Sequence, residues 1–290
     1  MGNKFSKSWI NMRLEYDNYS RSNILNKYLK NNKYMPNIEL IDMCSGSGNF
    51  LIWLIKNKLS FNEYTLIDND INLLKSIKSN LRKNIPKDLK IKSNTNNMDL
   101  ILCKDKFISS KVLIKKNDCD NFNYKTKRFH IISYSAALDL MSKSSIIKAI
   151  KRVNNLNAIY FSLCFNGIVK WTPTNTFDKY ILSFFNKHQR TDKGFGEALG
   201  PESIDFVNRY SIKQGMKVTT KHSPWIIKNK TDKDKNFMNR YLLDIKKALF
   251  HIEGIDRDIL RNWHKDKKSD IEKKSIKLYV GHQDILIYKK

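Results

Sequence analysis

The stretch that most constrains the fold runs from Ile38 to Trp53, Ile-Glu-Leu-Ile-Asp-Met-Cys-Ser-Gly-Ser-Gly-Asn-Phe-Leu-Ile-Trp. Its apolar run from Ile38 to Met43 has the length of a buried strand and stops at a Ser/Gly cluster. Phe50, Leu51, Leu54 and Ile55 then resume the apolar pattern at helical spacing. A strand, a tight turn and a helix follow from this order. Gly46 and Gly48 suit the turn, because glycine takes backbone angles that other residues avoid and leaves no Cβ between the main chain and a ligand. The free amides at the helix start face whatever occupies the turn.

Two ligand classes use such a turn. A dinucleotide wants a third glycine for close helix packing, but Leu51 stands there and the loop holds no Arg or Lys for a phosphate. An NAD-dependent oxidoreductase is therefore disfavoured. S-adenosylmethionine (SAM) carries no phosphate. Asp42 at the strand end can accept from its ammonium, while the backbone through Cys44, Ser45, Gly46, Ser47, Gly48 and Asn49 supports its tail and ribose.

On these residues the chain resembles the class I SAM-dependent methyltransferases, whose first motif is an acidic strand end followed by a Gly-x-Gly turn. The next element agrees with that resemblance. Glu63 to Ile67 reads as a second strand ending in Asp68 and Asn69, about twenty residues beyond the glycines, where an acidic side chain can hold both ribose hydroxyls. The resemblance implies an α/β, Rossmann-like fold with helices on both faces of a central seven-stranded, mostly parallel sheet whose last strand pair is antiparallel. The strands are expected at 38–43, 63–67, 111–115, 128–133, 157–164, 217–227 and 276–288. Lys87 to Ser110, rich in Lys and Asn around one apolar patch, reads as an insertion.

With 290 residues, one class I methyltransferase domain spanning 1–290 is expected. It would carry an N-terminal helical lid at 1–35 and a substrate-side insertion at 166–201. No run of 18 apolar residues suggests a membrane span, and no apolar signal core follows Met1, so a cytoplasmic location is expected. The opening Met1-Gly2-Asn3-Lys4-Phe5-Ser6 matches the minimal N-myristoylation pattern. Four cysteines without C-x-x-C spacing and six histidines without an H-x-x-x-H pair support neither a disulfide framework nor a zinc site, so a metal-free site is expected.

The charge of +26 has two explanations. A nucleic-acid surface would cluster its cations with Arg and stacking aromatics interleaved. Here the excess is mostly Lys, spread evenly among Asn and Ile as AT-rich coding produces, so nucleic acid is not the favoured partner.

Trp9, Arg13, Asp17 and Arg21 recur at intervals of four and share one helix face. They form either an ion-paired surface or a lid over the cofactor. The resemblance places Asp118 and Cys119, after the third strand, at the adenine. It places Ser133 and Tyr134, at the fourth strand's end, along the cleft. Neither Asn/Asp-Pro-Pro-Tyr nor Pro-Cys follows that strand, so methylation of DNA bases is disfavoured.

The segment Asn186-Lys-His188-Gln189-Arg190-Thr-Asp192-Lys193-Gly194-Phe195-Gly196, closed by Gly200-Pro201, packs polar groups among glycines and suits gripping a polar small molecule. It resembles the matching segment of a bacterial small-molecule subgroup of the same family. Asn186, His188, Gln189, Arg190 and Lys193 are thus candidate substrate residues together with Arg13 and Arg21, and the guanidinium groups suggest an anionic acceptor. His188 is the first candidate base, with Asp139 and His282 in reserve. The expected function is SAM-dependent methyl transfer to a polar small molecule. An RNA methyltransferase and a non-catalytic SAM-binding protein are the rivals.

Overall fold

Burial on both faces explains why the central strands read as unbroken apolar runs. The computed structural model describes residues 6–31, 38–93, 98–104, 107–124 and 128–289. In chain order the elements are α1 (Lys7–Ser20), α2 (Ile24–Asn31), β1 (Glu39–Met43), α3 (Asn49–Lys56), β2 (Glu63–Asp68) and α4 (Ile71–Asn84). They continue with β3 (Leu89–Ser93), β4 (Leu100–Lys104), β5 (Phe107–Lys116), β6 (His130–Ser135), α5 (Lys143–Lys151), β7 (Asn157–Thr172) and α6 (Asp178–Gln189). The chain closes with α7 (Ser203–Lys213), β8 (Lys217–His222), β9 (Trp225–Ile227), α8 (Asp232–Leu249), α9 (Arg257–Glu272) and β10 (Lys277–Tyr288).

One sheet runs in the order β3-β4-β5-β2-β1-β6-β7-β10-β8, with β9 also on β10. Its five central strands, β5-β2-β1-β6-β7, are parallel. The fold is Rossmann-like, with β10 antiparallel between β7 and β8 as expected. Among the described residues the strand number is corrected from seven to ten. The Lys87 to Ser110 stretch supplies the hairpin β3–β4, which extends the sheet beyond β5. The strand expected over 217–227 is broken at Ser223-Pro224, because proline has no amide for the ladder and the Ser223 hydroxyl turns inward to Asp284.

Successive strand residues divide the core into two layers. Leu40, Leu66, Ile131 and Ala158 face one way, into a cluster shared with α2, α3 and α4. Ile41, Ile67, Ile132 and Ile159 face the other, against α5 and α7. A third cluster joins the far end of β7 and the start of β10 to α8 and α9, with Trp171, Phe237, Leu242 and Trp263 buried in it.

One buried carboxylate ties the junction of the N-terminal helices to this sheet. Asp284 lies where the β7–β10 register slips, so that Ser162 and Leu163 oppose it and the Leu163 amide is free to bond it. Its two oxygens accept from Ser22 N at 2.7 Å, Tyr160 OH at 2.9 Å, Leu163 N at 2.8 Å and Ser223 Oγ at 2.7 Å. Asp284→Ala leaves these donors unsatisfied in a dry site and is expected to cost on the order of 3–5 kcal/mol of stability, read as a lowered urea midpoint. An unchanged midpoint would show that Asp284 does not anchor α1 and α2.

Candidate functional site

The chain runs outward from β1 through β2 to β5 and then crosses to β6 on the other side of β1. Open α/β sheets bind ligands at such a switch point, outside the carboxyl ends of the strands. A cavity of about 600 Å³ opens there. The turn after β1 lines it with Cys44, Ser45, Gly46 and Asn49. The turn after β2 contributes Asp68, Asn69 and Asp70, and the loop after β5 contributes Lys116, Asp118 and Cys119. Ser135, Ala136 and Ala137 follow β6, while α1 and its C-cap present Ile10, Arg13, Asp17 and Arg21. Lys193, Gly194 and Phe195 enter from the loop after α6.

The first turn is built for close backbone approach. Gly46 has φ +54° and Gly48, the N-cap of α3, φ +78°; a Cβ on Gly48 would come within 3.3 Å of Ile77. Gly46 N donates to Asp68 Oδ2 at 2.8 Å, and Asp70 N donates to Asp68 Oδ1 at 2.9 Å. One carboxylate thus ties the β1 and β2 turns together. Asn49 Nδ2 reaches the carbonyl of Ile10 at 2.9 Å and fixes α1 over the same turn. Burial pushes the Asp68 carboxyl up.

Asp42 is fully buried and does not line the cavity. Ser133 Oγ donates to its Oδ1 at 2.6 Å, and its Oδ2 has no protein partner. Burial pushes its pKa up to about 7 against the opposing pull of the Ser133 bond and the Arg21 charge. Arg21, the C-cap of α1, donates to Ser135 Oγ at 2.8 Å and lies over Phe50 and Trp53, with its guanidinium carbon 5.4 and 5.8 Å from their ring centroids. Burial pulls its pKa down while Asp17, Tyr160 and Asp284 hold it up.

Arg13 donates to Asp17 Oδ2 at 2.9 Å and stands 5.0 Å over the Trp225 ring, whose Nε1 donates to Asp17 Oδ1 at 3.0 Å. Arg13, Asp17 and Arg21 therefore converge on the cavity as their spacing suggests. Trp9 does not; it stacks on Phe237 at 5.3 Å against α8.

The polar run from Asn186 divides in two. Lys193 reaches the cavity, bonded to Thr191 Oγ1 at 2.8 Å and 3.4 Å from the His188 ring. Gly194 and Phe195 follow it there, whereas Asn186, His188, Gln189 and Arg190 line no part of it. His188 and Gln189 belong to α6, Asn186 donates to the Gly167 carbonyl at 3.0 Å, and Arg190 pairs with Glu202 at 2.6 Å. Gly200, at φ +56°, lets the chain pass directly over Gln189 and Arg190, where a Cβ would meet Arg190 Cγ at 3.2 Å.

Ser47 and Gly48 turn inward toward α4, where Asn80 holds the Ser47 carbonyl at 2.8 Å. Ser133 and Tyr134 are buried beneath the cavity-lining residues Ser135 to Ala137. Asp139 is buried near Arg13 and Lys193, and burial pushes its carboxyl up to about 6. Ile10, Asp70, Lys116 and Phe195 line the cavity without having been singled out from sequence. Lys116, two residues before Asp118 at the end of β5, was within reach of the same strand-end argument.

No family model matches the chain, and no curated sequence does. The chain is similar to the solved structure of the YcgJ protein from Bacillus subtilis, with a TM-score of 0.50 at 10% identity over 92% of this chain and 98% of that one. It is also similar to the cyclopropane synthase MmaA2 from Mycobacterium tuberculosis, with a TM-score of 0.47 at 12% identity over 98% and 94%. The plantazolicin methyltransferase BpumL in complex with SAH gives 0.43 at 12% over 98% and 86%. At these identities the likeness to YcgJ is one of fold.

Two histidines carry a pH consequence. Burial and the Lys193 charge bring His188 down to about 4; burial and Arg13 bring His282 down to about 3. An unfolded histidine titrates near 6.5. The contribution of His282 is therefore fully present above that pH and is lost as pH falls toward about 3, at about 1.4 kcal/mol per unit. His282→Gln is expected to flatten the fall in stability between pH 6.5 and 4 by about that slope, measured by denaturant titration. An equally steep profile in the variant would place His282 in solvent.

Proposed function

We propose that the cavity binds SAM and that the chain transfers its methyl group to a polar, anionic small molecule. The observation that carries this proposal is the joining of the Gly46 turn to the Asp68 carboxylate at the mouth of one cavity. Asp68 keeps further lone pairs for ribose hydroxyls beside Asn69, and Asp118 with Cys119, beside the Cys44 turn, lines the cavity where the adenine would lie. The backbone of Cys44 to Asn49 supports the amino-acid tail. Asp42, whose Oδ2 is unpartnered and whose carboxyl is held near neutrality, does not line the cavity and so does not take the ammonium directly.

When bound, the sulfonium supplies a methyl group for in-line displacement. The chain has to orient the acceptor and exclude water. Lys193 and Arg13 hold an anionic acceptor in this scheme, and Arg21, paired to Ser135 and buried, sets the charge beneath it. Arg190, Gln189 and Asn186 act indirectly by fixing the helix and turn that present Lys193. His188, neutral at working pH, accepts from Lys193 and orients it. By pKa Asp139, at about 6, is better matched to a base's work than His188, but neither side chain lines the cavity.

Asp68→Ala is expected to weaken SAH binding at least tenfold by calorimetry, whereas Arg190→Ala leaves it unchanged. Equal affinity in Asp68→Ala would remove the ribose assignment. Lys193→Met removes a charge-assisted hydrogen bond and is expected to lower kcat/KM for the acceptor by about 10- to 100-fold, with SAH affinity retained. Incubation with methyl-labelled SAM and cell extract is expected to label small molecules retained on an anion exchanger. Label confined to macromolecules would overturn the small-molecule assignment.

A further inference from the structure

Cys44 and Cys119 are far apart in sequence and meet at the cavity. Their sulfurs are 3.2 Å apart, and Cys44 N also donates to Cys119 Sγ at 3.0 Å. Both residues line the cavity. Cys44 is half-buried and Cys119 is 5% exposed, so an oxidant arriving through the cavity meets Cys44 first. Cys103 and Cys164 are buried within β4 and β7 and line no part of it.

We propose that Cys44 and Cys119 are a redox modification site, closing into a reversible disulfide across the cavity floor that keeps ligand out while it persists. The sulfurs have to approach by about 1.1 Å to reach bonding distance. Arg152 holds the Cys119 side of this gap, donating to the Cys119 carbonyl at 3.2 Å and to the Asp120 carbonyl at 2.9 Å. The opposite side yields. Cys44 begins the glycine turn at φ +58°, and two residues later the Gly46 amide is fastened to Asp68. Drawing Cys44 toward Cys119 therefore distorts the turn on which ligand binding depends.

The chemistry balances with a peroxide as oxidant. The Cys44 sulfur attacks one peroxide oxygen, breaking the O–O bond and leaving a sulfenic acid and one water. Cys119 then attacks the sulfenic sulfur and displaces the second water. The two thiols lose two protons and two electrons, and the peroxide is reduced to two waters. A dithiol reverses the bond by exchange. In the resting state the Cys119 hydrogen bond and burial hold the Cys44 thiol up, which slows its attack on an oxidant.

The effect on ligand entry rests on the SAM-binding proposal; the cross-link does not. The folded chain is treated with hydrogen peroxide, blocked with an alkylating reagent, digested and mapped by mass. A single cross-linked peptide pair joining Cys44 to Cys119 is expected, with an intact mass lower by two hydrogens and with Cys103 and Cys164 still alkylatable on unfolding. SAH affinity is expected to fall at least tenfold on oxidation and to return with dithiothreitol. Peroxide should not change the affinity of Cys44→Ser from that variant's own value. Free, alkylated Cys44 and Cys119 after oxidation would overturn the site. A cross-linked chain that binds SAH as tightly as the reduced one would overturn the exclusion of ligand. A reduced chain that does not bind SAH counts against the SAM-binding proposal instead, and the mapped cross-link still decides the site.

Discussion

The Asp68 carboxylate accepts the amides of Gly46 and Asp70, one on each oxygen. Two βα turns on neighbouring strands are thereby held in one geometry, and the cavity exists because they are. A carboxylate bonded to two amides and still pushed upward by burial is a group whose solvent has been replaced by fixed dipoles. It can accept from a ligand without being reorganised, which is the condition for tight, oriented binding. The left-handed backbone at Cys44, Gly46 and Gly48 follows from this arrangement, because three such residues within five turn the chain sharply enough to bring an amide back to the next strand.

The N-terminal helix belongs to the same assembly. Asn49 on α3 takes the Ile10 carbonyl, Trp225 takes Asp17, Tyr16 takes Asp234 at 2.8 Å, and Asp284 takes the amide that follows Arg21. Each bond comes from a different element. A helix fixed at this many points places Arg13 and Arg21 as reproducibly as if they stood on the sheet. That explains why buried arginine is tolerated here. Its desolvation is offset by Asp17, Asp284 and two aromatic rings rather than by solvent.

The parts legible in the sequence were those whose signal is local. β1 and β2 showed as apolar runs because both sheet faces are covered, Asp68 stood out by its distance from the glycines, and α1 by its fourfold spacing. What stayed hidden depends on pairing. Whether Tyr134 or Ala136 meets the cavity is decided by where β6 lies beside β1, and Asp284 acquires its role only where β7 and β10 slip register. The hairpin β3–β4 was masked because edge strands carry lysine to discourage further pairing, which made the composition read as an insertion. In the His188 to Arg190 segment, polarity reads as ligand contact but serves local structure. Those residues complete α6 and support Gly200, and the chain turns to the cavity only beyond them, at Lys193 to Phe195.

The net charge of +26 is not carried into the cavity. Arg13, Arg21, Lys116 and Lys193 there face Asp17, Asp68, Asp70 and Asp118. The two signs are also unevenly placed. Three of the four carboxylates stand on the turns after β2 and β5, whereas three of the four cations come from the α1 face and from the loop after α6. A cavity divided this way favours a cationic group toward the sheet and an anionic one toward the helix, each held by short-range contacts that salt screens poorly. Under the proposed function, a sulfonium donor would be held toward the sheet and an anionic acceptor toward the helix. The lysines scattered over the surface are not needed for that arrangement.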